Sequence, residues 1–423
     1  MTTFKASRAR VSGRICRSPI TPLAAALIIS ASFNLDAQTL SDEGKAEVGA
    51  YLADAIGTTR VPGMVALVVN KDGIVYEEAF GLMDSDNATP MTTDAIFRLA
   101  SMTKPVTSAL VMMLAEEGKL DIDAPVGTYL PELANPQVFA SFNPDDGTYT
   151  AQPARNAMTA RHLLTHTSGL GYTFTSDILA RLMDGVPGAR ATSYPLLFEP
   201  GTQWHYGEST RVLGDIVEAV TGEELFAYMK ARLLDPLGMA DTTYDVPADR
   251  NARVVTVHRS DGTQLVEQPN PDGAITSPHQ GDGGLSGTAR DYAQFIRLIL
   301  NDGTVDGRQL MKPETVALMK EPGSNGVRVQ RMESTNTLTS EDFPIGAGVD
   351  TFSLGFQRTE EQADGMRSVG SLAWAGIFNT EFWIDPERGI GGVLLMQYLP
   401  FYDDDAIEVL QGFERRVYGG LRE

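Results

Sequence analysis

A chain of 423 residues, 42% of them hydrophobic, holds enough apolar material for a large buried core. Its net charge of −21 comes from 34 basic and 55 acidic residues, and five of the cations (Lys5, Arg8, Arg10, Arg14, Arg17) lie in the first 37 residues against Asp36 alone, which leaves −25 on the remainder. A body so acidic excludes nucleic acid and anionic membrane surfaces as partners, because neutralising phosphates takes clustered Lys and Arg.

Taken in chain order, the basic start leads into the apolar run Pro22 to Ile29 and then into small and polar residues up to Ala37. That is the pattern of a secretory signal peptide over residues 1–37, and it places the mature protein in the periplasm or outside the cell. The run is shorter than the roughly 20 apolar residues that span a bilayer, so no stable membrane insertion is expected once the leader is removed. The sole cysteine, Cys16, lies inside the leader. A mature chain without thiols excludes disulfides, thiolate metal sites and cysteine catalysis.

Val48, Leu52 and Ile56 mark a helix from Glu43 to Ile56, stopped by Gly57. Met64 to Val69 and Ile74 to Phe80 read as two strands joined through Asn70-Lys71-Asp72-Gly73, a hairpin signature. From Ser101 the pattern turns helical through Val106, Leu110, Met113 and Leu114, with Gly118 as terminator. Helical spacing returns at Val212, Ile216 and Val220 up to Gly222, and at Phe226, Met229 and Leu233 until Pro236. Residues 333–348 read as a long loop, after which Phe378 to Ile384 and Gly392 to Tyr398 look like adjacent strands. Ile407, Leu410, Glu414 and Val417 trace a closing helix. The expected fold class is α/β of the α+β type, an antiparallel sheet built from both chain ends and flanked by helices. Its α/β domain takes residues 38–100 and 270–423, and a mainly helical domain, residues 101–269, is inserted between them.

Among the eight lysines only Lys104 has a serine three residues before it, in Ser101-Met102-Thr103-Lys104. Three residues apart on a helix share a face, so the Ser101 hydroxyl would stand beside the Lys104 ammonium. A serine hydroxyl is a poor nucleophile until a neighbouring base takes its proton. Pro105 is compatible with a helix starting at Ser101, because proline is tolerated in a first turn. An N-cap serine with a solvated lysine is the bland alternative for the tetrapeptide alone. About a hundred residues on, Trp204-His205-Tyr206-Gly207-Glu208-Ser209 precedes another helix.

These segments, with Phe97 to Pro105, His162-Leu163-Leu164-Thr165-His166-Thr167-Ser168-Gly169-Leu170, Pro200-Gly201 and Gly283 to Tyr292, resemble the class C β-lactamase and penicillin-binding superfamily of serine hydrolases. The resemblance runs from about residue 44 to 418. It implies a β-lactamase/transpeptidase-like fold and makes Tyr206 the base for Ser101, with Lys104 holding the phenolate form by its charge. Where that superfamily carries Lys-Thr-Gly or a His-containing equivalent, this chain has Trp374-Ala375-Gly376, a substitution that resembles the family VIII carboxylesterases. An indole offers apolar area and one N–H where a cation would attract a substrate carboxylate, which favours neutral acyl groups. Gly376 allows close backbone approach, and the resemblance implies an oxyanion hole from the amides of Ser101 and Ile377. Glu208 stands where the superfamily's tyrosine motif usually ends in Asn, and a carboxylate there is expected to pair with Lys104 and keep it protonated.

Other chemistries fit less well. No Gly-x-Ser-x-Gly of an α/β-hydrolase occurs. His162 and His166 are four apart but lack the adjacent glutamate of a zinc-protease helix, and His205 is left outside the catalytic set. The expectation is therefore a serine carboxylesterase acting on short-chain esters through a Ser101 acyl-enzyme, without metal or cofactor, with a weak β-lactamase side activity. A β-lactamase, D-amino-acid peptidase or acyltransferase of the same fold is the alternative within this chemistry, and an inactive penicillin-binding-like protein the alternative outside it.

Overall fold

A strand with no polar face needs cover on both sides, and the run around Met64 to Val69 is such a strand. The computed structural model of the chain describes Met1, Thr3 and residues 38–260, 265–268 and 279–422, so the leader expectation falls outside the described residues. Helix α1 (Asp42–Thr58) leads into β1 (Gly63–Asn70), β2 (Ile74–Asp84) and the short β3 (Thr89–Pro90). The intervening residues supply α2 (Thr103–Glu116), α3 (Ser209–Thr221) and α4 (Ala289–Leu300). The chain then returns through β4 (Thr351–Phe352), β5 (Gln357–Arg358), β6 (Leu372–Gly376), β7 (Thr380–Asp385) and β8 (Ile390–Leu395) before α5 (Asp404–Gly419).

These strands form one eight-stranded sheet in the order β4-β5-β6-β7-β8-β1-β2-β3, antiparallel throughout. β1 lies near the middle and alternation sends its side chains to two cores. Val65, Leu67 and Val69 join Phe295, Ile296 and Ile299 of α4. Met64, Ala66 and Val68 join Val48 and Leu52 of α1 and Val409 and Phe413 of α5. No helix among the described residues is long and apolar enough to cross a membrane.

Three local expectations are corrected. The helix expected from Ser101 begins at Thr103, because Ala100 has φ +47 and forces Ala100–Met102 into a separate 3₁₀ turn. The helix expected to stop at Pro236 reaches Leu237: a wide π turn over Lys230–Leu234 lets the proline enter at the first turn of Asp235–Leu237, where no N–H is needed. Phe378 and Asn379 belong to the turn between β6 and β7, with Asn379 at φ +54, so β7 starts only at Thr380.

Candidate active site

Two loops and a helix start converge at the end of β6. The 3₁₀ turn carrying Ser101 is tied to its surroundings by Leu99 N–H donating to the Leu285 carbonyl at 2.8 Å and by Thr380 Oγ1 donating to the Leu99 carbonyl at 3.3 Å. Positive φ at a non-glycine residue next to a reactive group is stored strain of the kind found at functional sites; here Ala100 holds Ser101 up, half-buried, at the cleft. Gly376 permits the approach of β6 to this turn, since a Cβ there would stand 2.3 Å from both the Leu99 carbonyl oxygen and Thr380 Oγ1.

Ser101 Oγ receives two donors. Tyr206 donates its hydroxyl at 2.6 Å and Lys104 Nζ donates at 2.9 Å. Lys104 is 2% exposed, and a buried ammonium must be compensated. Its partners are the Asp282 carbonyl at 2.5 Å and the ring faces of Tyr206 and Tyr172, at 4.8 and 5.3 Å. Tyr206 reaches the site on the loop entering α3. Gly207 lets that loop pack against the chain at Leu170, whose carbonyl oxygen would be 2.2 Å from a Cβ at position 207. His205 N–H donates to the His166 carbonyl at 2.9 Å, and the hydroxyls of Ser168 and Ser209 bond at 2.8 Å, fixing the loop from the other side.

Glu208 does not meet Lys104. It accepts from the Ala191 amide at 3.1 Å and lies 3.6 Å from Arg211 and 3.9 Å from Arg190. At the entry to α3 its side chain turns to two guanidinia, while the Lys104 ammonium is already filled by Ser101, Asp282 and two rings. Burial raises the Glu208 pKa and Arg211 opposes the rise.

Trp374 is 7% exposed on β6, with its ring 5.0 Å from that of Tyr206 and stacked on His166 at 6.3 Å. Its Nε1 has no hydrogen-bond partner, so the indole contributes apolar area to the site. Ile377 follows Gly376 and lines the same cavity as Ser101, Tyr206 and Trp374, a space of about 270 Å³ also walled by Phe174 and Phe343.

Two residues that the sequence reading passed over, Tyr172 and Asp282, complete the site beside histidines it had named. Tyr172 donates to Asp282 Oδ2 at 2.5 Å; burial first, and then the Asp282 charge, push its pKa well up, so it stays a donor. Both flank segments already singled out, two residues after Leu170 and one before Gly283. His166 sits with its ring 5.0 Å from that of Tyr206, and burial, followed by the Lys104 charge, pushes its pKa well down to keep it neutral. His162 does not share its setting, because its Nδ1 accepts from the Thr159 amide at 3.2 Å in a capping box. His205 contacts Thr175 Oγ1 at 3.1 Å, and burial lowers its pKa to about 4.

The beta-lactamase family pattern matches residues 48–412. The lovastatin esterase of Penicillium rubens is 30% identical over 389 residues, covering 86% of this chain and 96% of that protein. The monacolin J acid methylbutanoyltransferase of Aspergillus terreus is 28% identical over 400 residues, covering 87% and 94%. Among solved structures, a LovD6 mutant of simvastatin synthase from Aspergillus terreus superposes with a TM-score of 0.77 at 27% identity, over 90% of this chain and 98% of that one. A match over so much of the chain, on a sheet of this topology, means that the protein belongs to the beta-lactamase family, a family of serine hydrolases and acyltransferases.

Proposed function

We propose that the cleft hydrolyses short-chain carboxylic esters through an acyl-enzyme on Ser101, in the manner of the family VIII carboxylesterases. The observation that carries the reading is the convergence of Tyr206 Oη and Lys104 Nζ on one serine oxygen, at 2.6 and 2.9 Å. For attack the sense of the Tyr206–Ser101 bond must reverse: Tyr206, with its phenolate form favoured by the Lys104 charge, takes the Ser101 proton as Oγ attacks the ester carbonyl. The amides of Ser101 and Ile377 receive the developing oxyanion. Collapse breaks the bond to the alcohol, which leaves with the proton from Tyr206. Water then repeats the sequence on the acyl-serine and frees the acid. A cavity of about 270 Å³ sits just under the roughly 300–1,000 Å³ usual for drug-sized ligands, which supports small acyl groups.

A p-nitrophenyl ester series with wild type and Ser101→Ala, together with fluorophosphonate labelling, tests this. Rates falling with acyl length, loss of turnover in the variant and a label on Ser101 are expected; an unlabelled, folded wild type would favour the inactive binding protein. Acyl transfer is the second reading, favoured by the methylbutanoyltransferase among the relatives. In it an alcohol replaces water at the acyl-serine, and adding alcohol acceptors would divert product from acid to a new ester. Export through the 1–37 leader belongs to the same proposal and is checked by the N-terminal mass of secreted protein.

A further inference from the structure

β5 pairs with β6 only at Leu372 and Ala373, so among the described residues the edge of β6 from Trp374 to Gly376 has no strand beside it. Successive side chains there point to opposite faces, yet Trp374 and Ala375 both line the cleft. The cavity therefore rounds the open edge and continues on the other face of the sheet. Ala375 is paired with Glu381 of β7, which puts Glu381 on the wall of that side arm. The small side chains of Ala373 and Ala375 leave the passage open.

The polar groups at the end of the arm are unequally occupied. Arg367 donates to Glu414 Oε1 through its backbone N–H at 2.9 Å and its Nε at 2.8 Å, and its Nη2 donates to Glu414 Oε2. Glu381 is 6% exposed, and its Oε1 is buried with no hydrogen-bond partner among the described residues. Buried polar atoms almost always have partners, so a carboxyl with an orphan oxygen, on a residue that lines a cavity, points to something the cavity binds. Burial pushes the Glu381 pKa well above the carboxylate range, with Arg367 opposing, which favours the neutral acid, able both to donate and to accept. Arg367 and Glu414 satisfy each other, so the pair leaves no free counter-charge for a ligand cation or a ligand anion. An uncharged hydroxyl suits both faces of a carboxylic acid.

We propose that the side arm binds a hydroxyl at the far end of the ester's longer substituent, and that Glu381 is the residue that selects for it. This rests on the ester reading of Ser101. The test compares p-nitrophenyl 6-hydroxyhexanoate with the hexanoate, and 6-hydroxyhexyl acetate with hexyl acetate, in wild type, Glu381→Gln, Glu381→Leu and Ala375→Leu. Each variant is scored on its own hydroxyl-to-alkyl ratio, which cancels a general loss of activity. The expected wild-type ratio is about three- to tenfold in one of the two series, the scale of one neutral hydrogen bond. It should lie in KM, as for binding remote from the reacting atoms. Glu381→Gln keeps the ratio, because an amide also donates and accepts, whereas Glu381→Leu and the blocked Ala375→Leu lose it. Flat wild-type ratios in both series, or an unchanged ratio in Glu381→Leu, overturn the proposal, as does a stronger preference for a 6-amino ester. Ser101 labelling reports separately on the ester reading, and calorimetric binding of the same pairs to Ser101→Ala gives the ratio even if turnover is absent.

Discussion

Replacing Tyr206 with phenylalanine removes one oxygen atom and leaves the ring. That ring is held by Trp374 and His166, both at 5.0 Å between centroids, by Tyr172 at 5.2 Å and by Phe343 at 5.7 Å. The variant should therefore fold, losing about 0.5–1.5 kcal/mol for one hydrogen bond. Its chemistry should suffer far more, because the lost atom is the one 2.6 Å from Ser101 Oγ. Removing a positioned general base costs about 10²- to 10⁴-fold, or roughly 3–5.5 kcal/mol of barrier. Lys104 Nζ stays 2.9 Å from the serine, so the residual rate measures how far the amine can act alone. Stopped-flow acylation by p-nitrophenyl acetate isolates the step from deacylation. In a Tyr206→Phe/Lys104→Met double variant the losses should not add, since the two groups serve one proton transfer. An acylation rate within threefold of wild type in Tyr206→Phe would refute the assignment of the phenol as base.

Three further outcomes follow from other contacts. Gly376→Ala drives a methyl into the Leu99 carbonyl and Thr380 Oγ1, each 2.3 Å away, so β6 must move off the Ser101 turn; on the proposed mechanism kcat/KM should fall about 10²-fold, with a lower Tm, in parallel kinetic and calorimetric measurements. Arg367→Met leaves Glu414, which is 0% exposed, without its cation and should cost about 3–5 kcal/mol in urea unfolding, most of it recovered by the double variant Arg367→Met/Glu414→Leu. Burial raises Asp291 to about 6 from 3.8, so the folded state holds that proton more tightly than the unfolded state; this contribution is present at low pH and is lost as pH rises through the window from 3.8 to about 6. Asp291→Asn should remove a slope on the order of 3 kcal/mol from stability measured across that window, and an unchanged slope would mean that Asp291 titrates normally.

The residues that could be read in advance were those whose meaning is local. Ser101 and Lys104 are three residues apart, close enough to meet even though a 3₁₀ turn replaces the expected helix start, and the apolar run of β1 announces a strand covered on both faces. Partners distant in sequence were not legible. Glu208 was expected beside Lys104 because the two motifs meet, but what it meets depends on where Arg190 and Arg211 fall around α3. Glu414 stood in the sequence as part of a helical stripe otherwise made of Ile407, Leu410 and Val417, and a carboxylate in such a stripe calls for a buried cation. That the cation is Arg367 is settled only by the packing of α5 on the sheet. The positive φ of Ala100 has no sequence signature, since alanine seldom adopts it. Tyr172 and Asp282 were nearer to reach, each lying beside a segment already marked, and what hid them was the hydrogen bond between them.

The same packing bears on which substrates the proposed chemistry admits. Among the described residues two arginines line the cleft, and Lys104 stands behind Ser101. Lys104 is bound to Ser101 and the Asp282 carbonyl, Arg367 is clamped by Glu414, and Arg415 is exposed at the rim, where its nearest bond is to Gln411 at 3.4 Å. On β6, where a cation would greet the carboxylate of a β-lactam or a peptide terminus, Trp374 presents an indole. At Lys104 and Arg367 an anionic substrate would have to give up its hydration against groups already paired, which costs more than a neutral ester loses, and Arg415 at the rim is solvated. The proposed preference for neutral acyl groups thus rests on Lys104 and Arg367 being occupied and on Trp374 standing on β6, and it would apply to hydrolysis and to acyl transfer alike.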